Sequence, residues 1–246
     1  MDKEILETSG SRRNFLKTLA AASAGVALGG AAFPLAAHAA TDDPPTIISV
    51  ALVAEYLAVT FQTNAIANAT KIGLTPAEVT TIQAVVAEEA IHVDYLKAYG
   101  AQDLYTGPFT FPTGTFSSRN GYATTAVILE TAFVTAYMAA VREFAADARA
   151  DLAQLAYQIG AVEAEHRALS RSVGNFLPYS DLAFETNLIP NVAAAATVLT
   201  NLGFLAGGTA ANDASASASG PVTLAYTAAN QNQAMSYIGL LTQTTP

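Results

Sequence analysis

Residues 89–92 read EAIH and residues 163–166 read EAEH, so in both places a histidine follows a glutamate by three positions. Residues i and i+3 lie on the same face of an α-helix. Each pair can therefore direct one carboxylate and one imidazole toward a common point. The third histidine of the chain, His38, lies in the N-terminal segment, which we do not expect to belong to the folded domain.

Each motif is preceded by an apolar segment that holds one charged residue. Glu55 is the only charge between residues 46 and 69, and Glu130 is the only charge between residues 121 and 141. The intervals from these glutamates to the following motifs are 34 and 33 residues, so the two halves resemble each other. An ionised carboxylate buried without a partner is costly, and the chain offers few Lys or Arg residues nearby. A divalent metal ion would explain both isolated glutamates.

The apolar periodicity predicts four long helices joined by connections of unequal length. Residues 75–78 (TPAE) form a strong helix start, and Gly100 and Gly174 are helix stops. The connection over residues 100–120 is long, with a little extended structure, whereas the other two are short. This loop pattern predicts an all-α four-helix bundle with a long B–C crossover. The helices are A (46–69), B (76–99), C (121–145) and D (151–173).

Six side chains of this bundle form the candidate metal site. Four carboxylates and two imidazoles can bind two metal ions in a four-helix bundle, and oxygen with imidazole ligands suits iron or manganese better than zinc. The alternative, in which the glutamates face water and the histidines are ordinary residues, is disfavoured because the pattern occurs twice. The predicted ligands are Glu55, Glu89, His92, Glu130, Glu163 and His166.

Further polar residues lie near the predicted ligands in sequence. Gln62 and Tyr137 each follow a lone glutamate by seven positions, and Tyr95 lies one turn beyond the first motif histidine. These three are candidates for hydrogen bonding to the ligands or for tyrosine redox chemistry; the alternative is that the tyrosines are core residues. Glu88 and Glu165 point about 100° away from the ligand face. We leave them out of the ligand set, while a supporting contact remains open.

Residues 1–39 have the pattern of an export signal. Residues 11–17 read SRRNFLK, close to the twin-arginine (Tat) consensus, and an Ala/Gly-rich stretch interrupted by Pro34 follows. Residues 37–39 (AHA) fit the small-x-small cleavage rule. We therefore predict export through the Tat pathway, to the periplasm of a bacterium. Once the signal is removed, we expect no stretch long and apolar enough to span a bilayer.

The composition of the mature chain excludes several classes of function. The predicted signal holds four of the eleven Lys/Arg and three of the twenty Asp/Glu residues, which leaves 7 basic and 17 acidic residues and a net charge of −10. Such a charge argues against nucleic-acid partners and anionic membrane surfaces. The chain has no cysteine, which excludes thiolate chemistry and Cys-ligated metals.

The bundle is predicted over residues 40–174, and residues 175–246 form a C-terminal extension. The apolar pattern of residues 190–202 predicts a short helix. Residues 207–220 are rich in Gly, Ala and Ser, and we predict that they are flexible. The stretch 221–246 has no charged residue. It could pack on the bundle or bind a partner, and the sequence does not choose between these.

The order E…ExxH…E…ExxH, the crossover and the twin-arginine leader together resemble the ferritin-like superfamily. The closest resemblance is to the exported ferritin-like domain family, which includes bacterial desiccation-related proteins. Residues 109–119 (FTFPTGTFSSR) and 177–185 (LPYSDLAFE) also look like that family, and the resemblance covers about residues 46–205. It implies a di-iron or di-manganese centre. The superfamily includes ferroxidases, oxygenases, desaturases, peroxidases and manganese catalases, so the fold does not choose the reaction.

These observations support three functions. The first is an exported di-metal oxidoreductase that acts on oxygen, peroxide or ferrous iron in oxidative or desiccation stress. The second is an iron-sequestering protein, although the leader and the uncharged tail argue against a ferritin cage. The third is a non-enzymatic protective or envelope-interaction protein with a structural metal site. Whether the chain forms a homo-oligomer stays open.

Overall fold

The computed structural model describes residues 42–185, 188–205 and 221–241. The predicted signal peptide and the predicted flexible stretch 207–220 lie outside these residues. The described chain is mostly helical, which confirms the all-α fold class. Its elements are α1 (Pro44–Ala67), α2 (Ala69–Ile72), α3 (Pro76–Ala98), β1 (Phe109–Phe111), α4 (Arg119–Ala146), α5 (Ala150–Val173), α6 (Val192–Asn201), β2 (Val222–Leu224), α7 (Ala228–Met235) and a 3₁₀ turn (Ile238–Leu240).

Helices α1, α3, α4 and α5 correspond to the predicted helices A to D. Local capping explains their starts: Asp43 accepts a hydrogen bond from the Thr46 amide at the start of α1, and Thr75 and Glu78 form the expected capping box at α3. Helices α1 and α4 each begin two residues earlier than predicted, because Asp43 and Ser118 supply caps that the apolar pattern does not reveal.

The four helices form two hairpins with apolar cores. Helix α1 packs chiefly on α3, and α4 packs chiefly on α5, as the sequence repeat predicts. Contrary to the expectation from sequence, α1 and α4 are both long and apolar enough to cross a membrane by length and composition alone. However, 72% and 67% of their most apolar windows are buried inside the protein, which identifies them as core helices of the bundle.

The crossover and the C-terminal extension close over this bundle. Strand β1 in the crossover pairs antiparallel with β2, with Phe109 opposite Leu224. Helix α6, capped by Asn191, packs on α1 and α4, close to the predicted span 190–202. Strand β1 is the extended structure expected in the crossover. Its pairing with residues more than one hundred positions away was not predicted, because no local sequence pattern indicates it.

The uncharged C-terminal stretch packs on the bundle over its described part. The side chain of Asn230 in α7 donates to the Thr63 hydroxyl at 3.0 Å, and Gln231 donates to the Ala90 carbonyl at 2.9 Å. The ring of Tyr226 stacks on Tyr56 with 4.0 Å between centroids. Of the two alternatives that the sequence leaves open, packing on the bundle and binding a partner, residues 221–241 therefore show packing on the bundle.

Candidate metal centre

The structure brings the six predicted ligands together inside the bundle. Helices α1 and α4 each contribute one glutamate, and α3 and α5 each contribute a glutamate and a histidine, so every long helix takes part. His92 is 6% exposed and the other five side chains are at most 2% exposed. The cluster thus lies in the apolar interior, where a charge without a partner is unfavourable.

The ligand atoms fall into two overlapping groups. Within each group, one atom from every residue lies within 4.8 Å of the atoms of the others. One group is Glu55, Glu89, His92 and Glu163, and the other is Glu89, Glu130, Glu163 and His166. Glu89 and Glu163 belong to both groups, so their carboxylates could be shared by two cations. Each group then has one further glutamate and one histidine of its own.

Both imidazoles point Nδ1 toward the carboxylates. His92 Nδ1 lies 3.3 Å from both Glu55 Oε2 and Glu163 Oε1, and His166 Nδ1 lies 3.0 Å from Glu89 Oε1. These distances leave Nδ1 of each ring directed at the cluster, as ligation requires. The two ring centroids are 6.4 Å apart, one at each end of the shared carboxylates.

Glu88 supports the second histidine from outside. Its Oε2 lies 2.8 Å from Nε2 of His166. A carboxylate at Nε2 holds the ring proton there and leaves the Nδ1 lone pair for a metal ion, an arrangement common in metal sites. Helical geometry excludes Glu88 from the predicted ligand set but allows it a supporting contact. The structure places it in contact with His166, whereas Glu165 is exposed.

The two polar residues that follow the lone glutamates by seven positions lie inside the bundle. The hydroxyl of Tyr137 donates a hydrogen bond to Glu55 Oε1. Gln62 accepts a hydrogen bond from the hydroxyl of Tyr122 at 2.9 Å. Tyr122 is not among the predicted candidates, because its place eight residues before Glu130 puts it about 80° away from that glutamate around the helix. Tyr95 is 54% exposed and lies outside the cluster.

Crowding of charge shifts the pKa values of the cluster. Burial, together with the nearby Glu163 carboxylate, raises the pKa of Glu55 and that of Glu130 well above their usual range. Burial alone would also raise the pKa of Glu89, but the imidazoles of His166 and His92 outweigh it and lower that pKa.

The pKa values of the two histidines are also shifted, and here burial and the nearby carboxylates act in opposite directions. Burial alone would lower both pKa values. The carboxylates around them outweigh burial, led by Glu55 at His92 and by Glu89 at His166, and raise both pKa values. Carboxylates and imidazoles therefore compete for a small number of protons inside the bundle.

The polar atoms left without hydrogen-bond partners are free to bind metal ions. Both oxygens of Glu89 and of Glu163, Oε2 of Glu130 and Nδ1 of His166 are buried and have no hydrogen-bond partner within the described chain. No Lys or Arg in the described ranges forms an ion pair with any of the six residues. Buried polar atoms are rarely left unpaired. Oxygen and imidazole donors in this arrangement suit iron or manganese.

A cleft connects this centre to the surface. It has a volume of about 450 Å³, lies between α3 and α5, and is lined by His92, Glu88, Tyr95 and Asp151 among others. The exposed ring of Tyr95 therefore lines the approach to His92 rather than the cluster itself.

Comparison with models of known protein families gives two matches. Residues 45–175 match the model of the ferritin-like domain family, and residues 11–29 match the twin-arginine translocation pathway signal sequence. No curated protein and no solved structure matches the chain significantly. The family match covers more than half of the chain and all six clustered residues. The chain therefore belongs to the ferritin-like domain family, and it carries a signal sequence for export through the Tat pathway.

Proposed function

We propose that this protein is an exported oxidoreductase that binds two iron or manganese ions and acts on oxygen, peroxide or ferrous iron. The observation that carries the proposal is the pair of ligand groups that share Glu89 and Glu163. Shared carboxylates are what two adjacent ions need, and a site for a single ion would not use them. The four carboxylates also balance the charge of two divalent ions when both imidazoles are neutral.

Each residue has a role that follows from its position. Glu55 and His92 would hold one ion, and Glu130 and His166 would hold the other. The carboxylates of Glu89 and Glu163 would contact both ions. Two redox-active ions bound side by side can exchange two electrons with oxygen or peroxide. Glu88 keeps the proton of His166 on Nε2, and the hydroxyl of Tyr137 fixes the orientation of the Glu55 carboxylate.

The Tat signal supports the choice of iron or manganese. This pathway exports proteins that have already folded, so the metal can be inserted before export, where these two metals are available to the chain. We propose that the mature protein acts in the bacterial periplasm under oxidative or desiccation stress. Export before folding would instead favour zinc or copper.

Metal analysis of the protein exported by its own host tests the proposal directly. We expect about two iron or manganese ions per chain; fewer than one ion per two chains would contradict it. Glu163→Gln should lose most of the metal because it removes a shared ligand. Glu165→Gln, on the same helix and exposed, is the matched control and should keep the metal.

Assays with the metal-loaded protein separate the reactions. Manganese with oxygen evolution from hydrogen peroxide indicates a catalase-like enzyme, and iron with fast oxidation of ferrous ions indicates a ferroxidase. Glu163→Gln should abolish whichever activity is found, while Glu165→Gln should retain it. Equal activity in both variants would show that the cluster is not the reaction centre.

The alternative is a non-enzymatic protective protein in which the metal site is structural. It is supported by the contribution of a ligand from every long helix, because bound ions would then tie the whole bundle together. Under this alternative, Glu130→Ala lowers the melting temperature, and neither the wild type nor the variant consumes peroxide or oxidises ferrous ions.

A further inference from the structure

A second cavity lies beside the metal centre, on the side where α6 covers α1 and α4. It has a volume of about 260 Å³, and among the described residues twenty line it, none of them charged. We propose that it binds a neutral, apolar organic molecule of about ten carbon atoms. Nothing in the family match assigns a ligand to this place.

The polar side chains that line the cavity already donate hydrogen bonds within the protein. Its four polar side chains are Thr135, Thr200, Tyr105 and Tyr137. Each hydroxyl donates to an acceptor within the protein: three donate to backbone carbonyls and the fourth to the Glu55 carboxylate. A polar or charged ligand would therefore find no matching donor or cation here and would lose its hydration without compensation. An apolar ligand has no such cost.

Small side chains create the space. Seven of the twenty lining residues are alanines, distributed over α1, α4 and α6. A close-packed interior seldom leaves a void of this size. An apolar cavity of about 150 Å³ holds benzene, so about 260 Å³ corresponds to roughly ten carbon atoms, the size of naphthalene or a short terpenoid.

The cavity extends from the surface toward the metal centre. Leu104, at the outer side, is 58% exposed, whereas Tyr137, which also lines the cavity, is 4% exposed and donates to Glu55. A bound molecule would therefore lie one side chain away from a ligand of the cluster. Any role of the bound molecule in the chemistry of the metal centre rests on the proposed function. The binding of the molecule to the cavity does not.

In the predicted mature chain, the residues outside the described ranges include no large apolar side chain that could fill the cavity. Residues 40–41, 186–187, 206–220 and 242–246 contain no Leu, Ile, Val, Met or aromatic residue. Besides Asp213, Gln243 and Pro246, these segments consist of Gly, Ala, Ser, Thr and Asn, whose side chains are too small or too polar to fill an apolar cavity of this size. We therefore assign the cavity to a separate small molecule.

Titration of the full mature protein with naphthalene tests this assignment, with binding followed by calorimetry. We expect one molecule per chain and a raised melting temperature. Ala195→Phe, which fills the cavity from α6, should weaken binding at least tenfold. Ala193→Phe, exposed on the same helix and outside the cavity, is the matched control and should bind as the wild type does.

A second variant that fills the cavity keeps the test valid if Ala195→Phe does not fold. Ala196→Leu adds less bulk at a half-buried lining position and should also weaken binding. Absence of naphthalene binding by the wild type would overturn the assignment. Undiminished binding by a folded Ala195→Phe or Ala196→Leu variant would do the same.

Titration after chelator treatment, and again after manganese loading, separates the two proposals. Naphthalene binding by a protein that takes up no iron or manganese would leave the cavity assignment intact and contradict the metal-dependent function. Binding of two metal ions without naphthalene binding would contradict only the cavity assignment.

Discussion

Glu88 and Glu89 are adjacent in α3, yet their carboxylates have different surroundings. Glu89 is fully buried between the two histidines, whereas Glu88 lies at the edge of the cleft and contacts only the outer nitrogen of His166. Helical geometry predicted that the two side chains diverge by about 100°. It could not predict that His166 would lie between them, because that contact joins two helices.

Glu88→Gln tests the support of His166. An amide at this position can donate as well as accept, so it no longer fixes the proton on Nε2 as a carboxylate does. We expect metal affinity to fall about 10- to 100-fold, the usual effect of losing such a contact. The measurement is a competition titration with a chelator. Glu165→Gln is the control, and an unchanged affinity in Glu88→Gln would exclude the supporting role.

Metal affinity should also depend on pH, because the ligands must release protons before they bind an ion. The pKa values of Glu55, Glu130, His92 and His166 are all raised. Lowering the pH through these pKa values therefore adds protons that the ion must displace. We expect manganese affinity to fall by about tenfold per pH unit for each proton released. A pH-independent affinity between pH 8 and pH 6 would contradict this.

At the scale of elements, Arg119 joins three helices where the crossover enters the bundle. Its guanidinium donates to Glu78 at the start of α3, to the Val173 carbonyl at the end of α5, and to the Gly73 carbonyl just after α2. The ion pair with Arg119 lowers the pKa of Glu78 from 4.5 to about 2, against a smaller opposing effect of burial. Arg119 itself is the first residue of α4.

Arg119→Gln should reduce the free energy of unfolding at pH 7 by about 1 kcal/mol, because the pair is only partly shielded from water. The pKa of Glu78 is depressed in the folded protein, so the contribution is complete above pH 4.5 and is lost as the pH falls toward about 2. The difference in free energy of unfolding between wild type and Arg119→Gln should therefore shrink as the pH falls from 4.5 to about 2. Urea unfolding of the chelator-treated proteins measures this difference.

Arg149→Gln is the control, because it removes an ion pair with Asp151 that is exposed and only two residues away. We expect a smaller effect than for Arg119→Gln. Equal effects of the two substitutions would show that the links from Arg119 to three helices add nothing beyond an ordinary surface pair.

At the scale of the whole molecule, local patterns predicted the bundle and the six residues that cluster inside it, but not the parts that depend on distant contacts. The helices have clear starts, such as the TPAE sequence at residues 75–78, and the ligands repeat at regular spacing. The pairing of β1 with β2 and the packing of α7 on the bundle depend on contacts between distant residues. Tyr122 was missed for the same reason, since its partner Gln62 lies on another helix.

The central claim is that two ions occupy adjacent positions and share Glu89 and Glu163. Anomalous X-ray diffraction from crystals of the host-exported protein, collected at the iron and manganese absorption edges, tests it most directly. We predict two anomalous peaks roughly 3.5–4 Å apart, with both shared carboxylates between them and one histidine at each end. A single peak, or two peaks that contact neither Glu89 nor Glu163, would contradict the account.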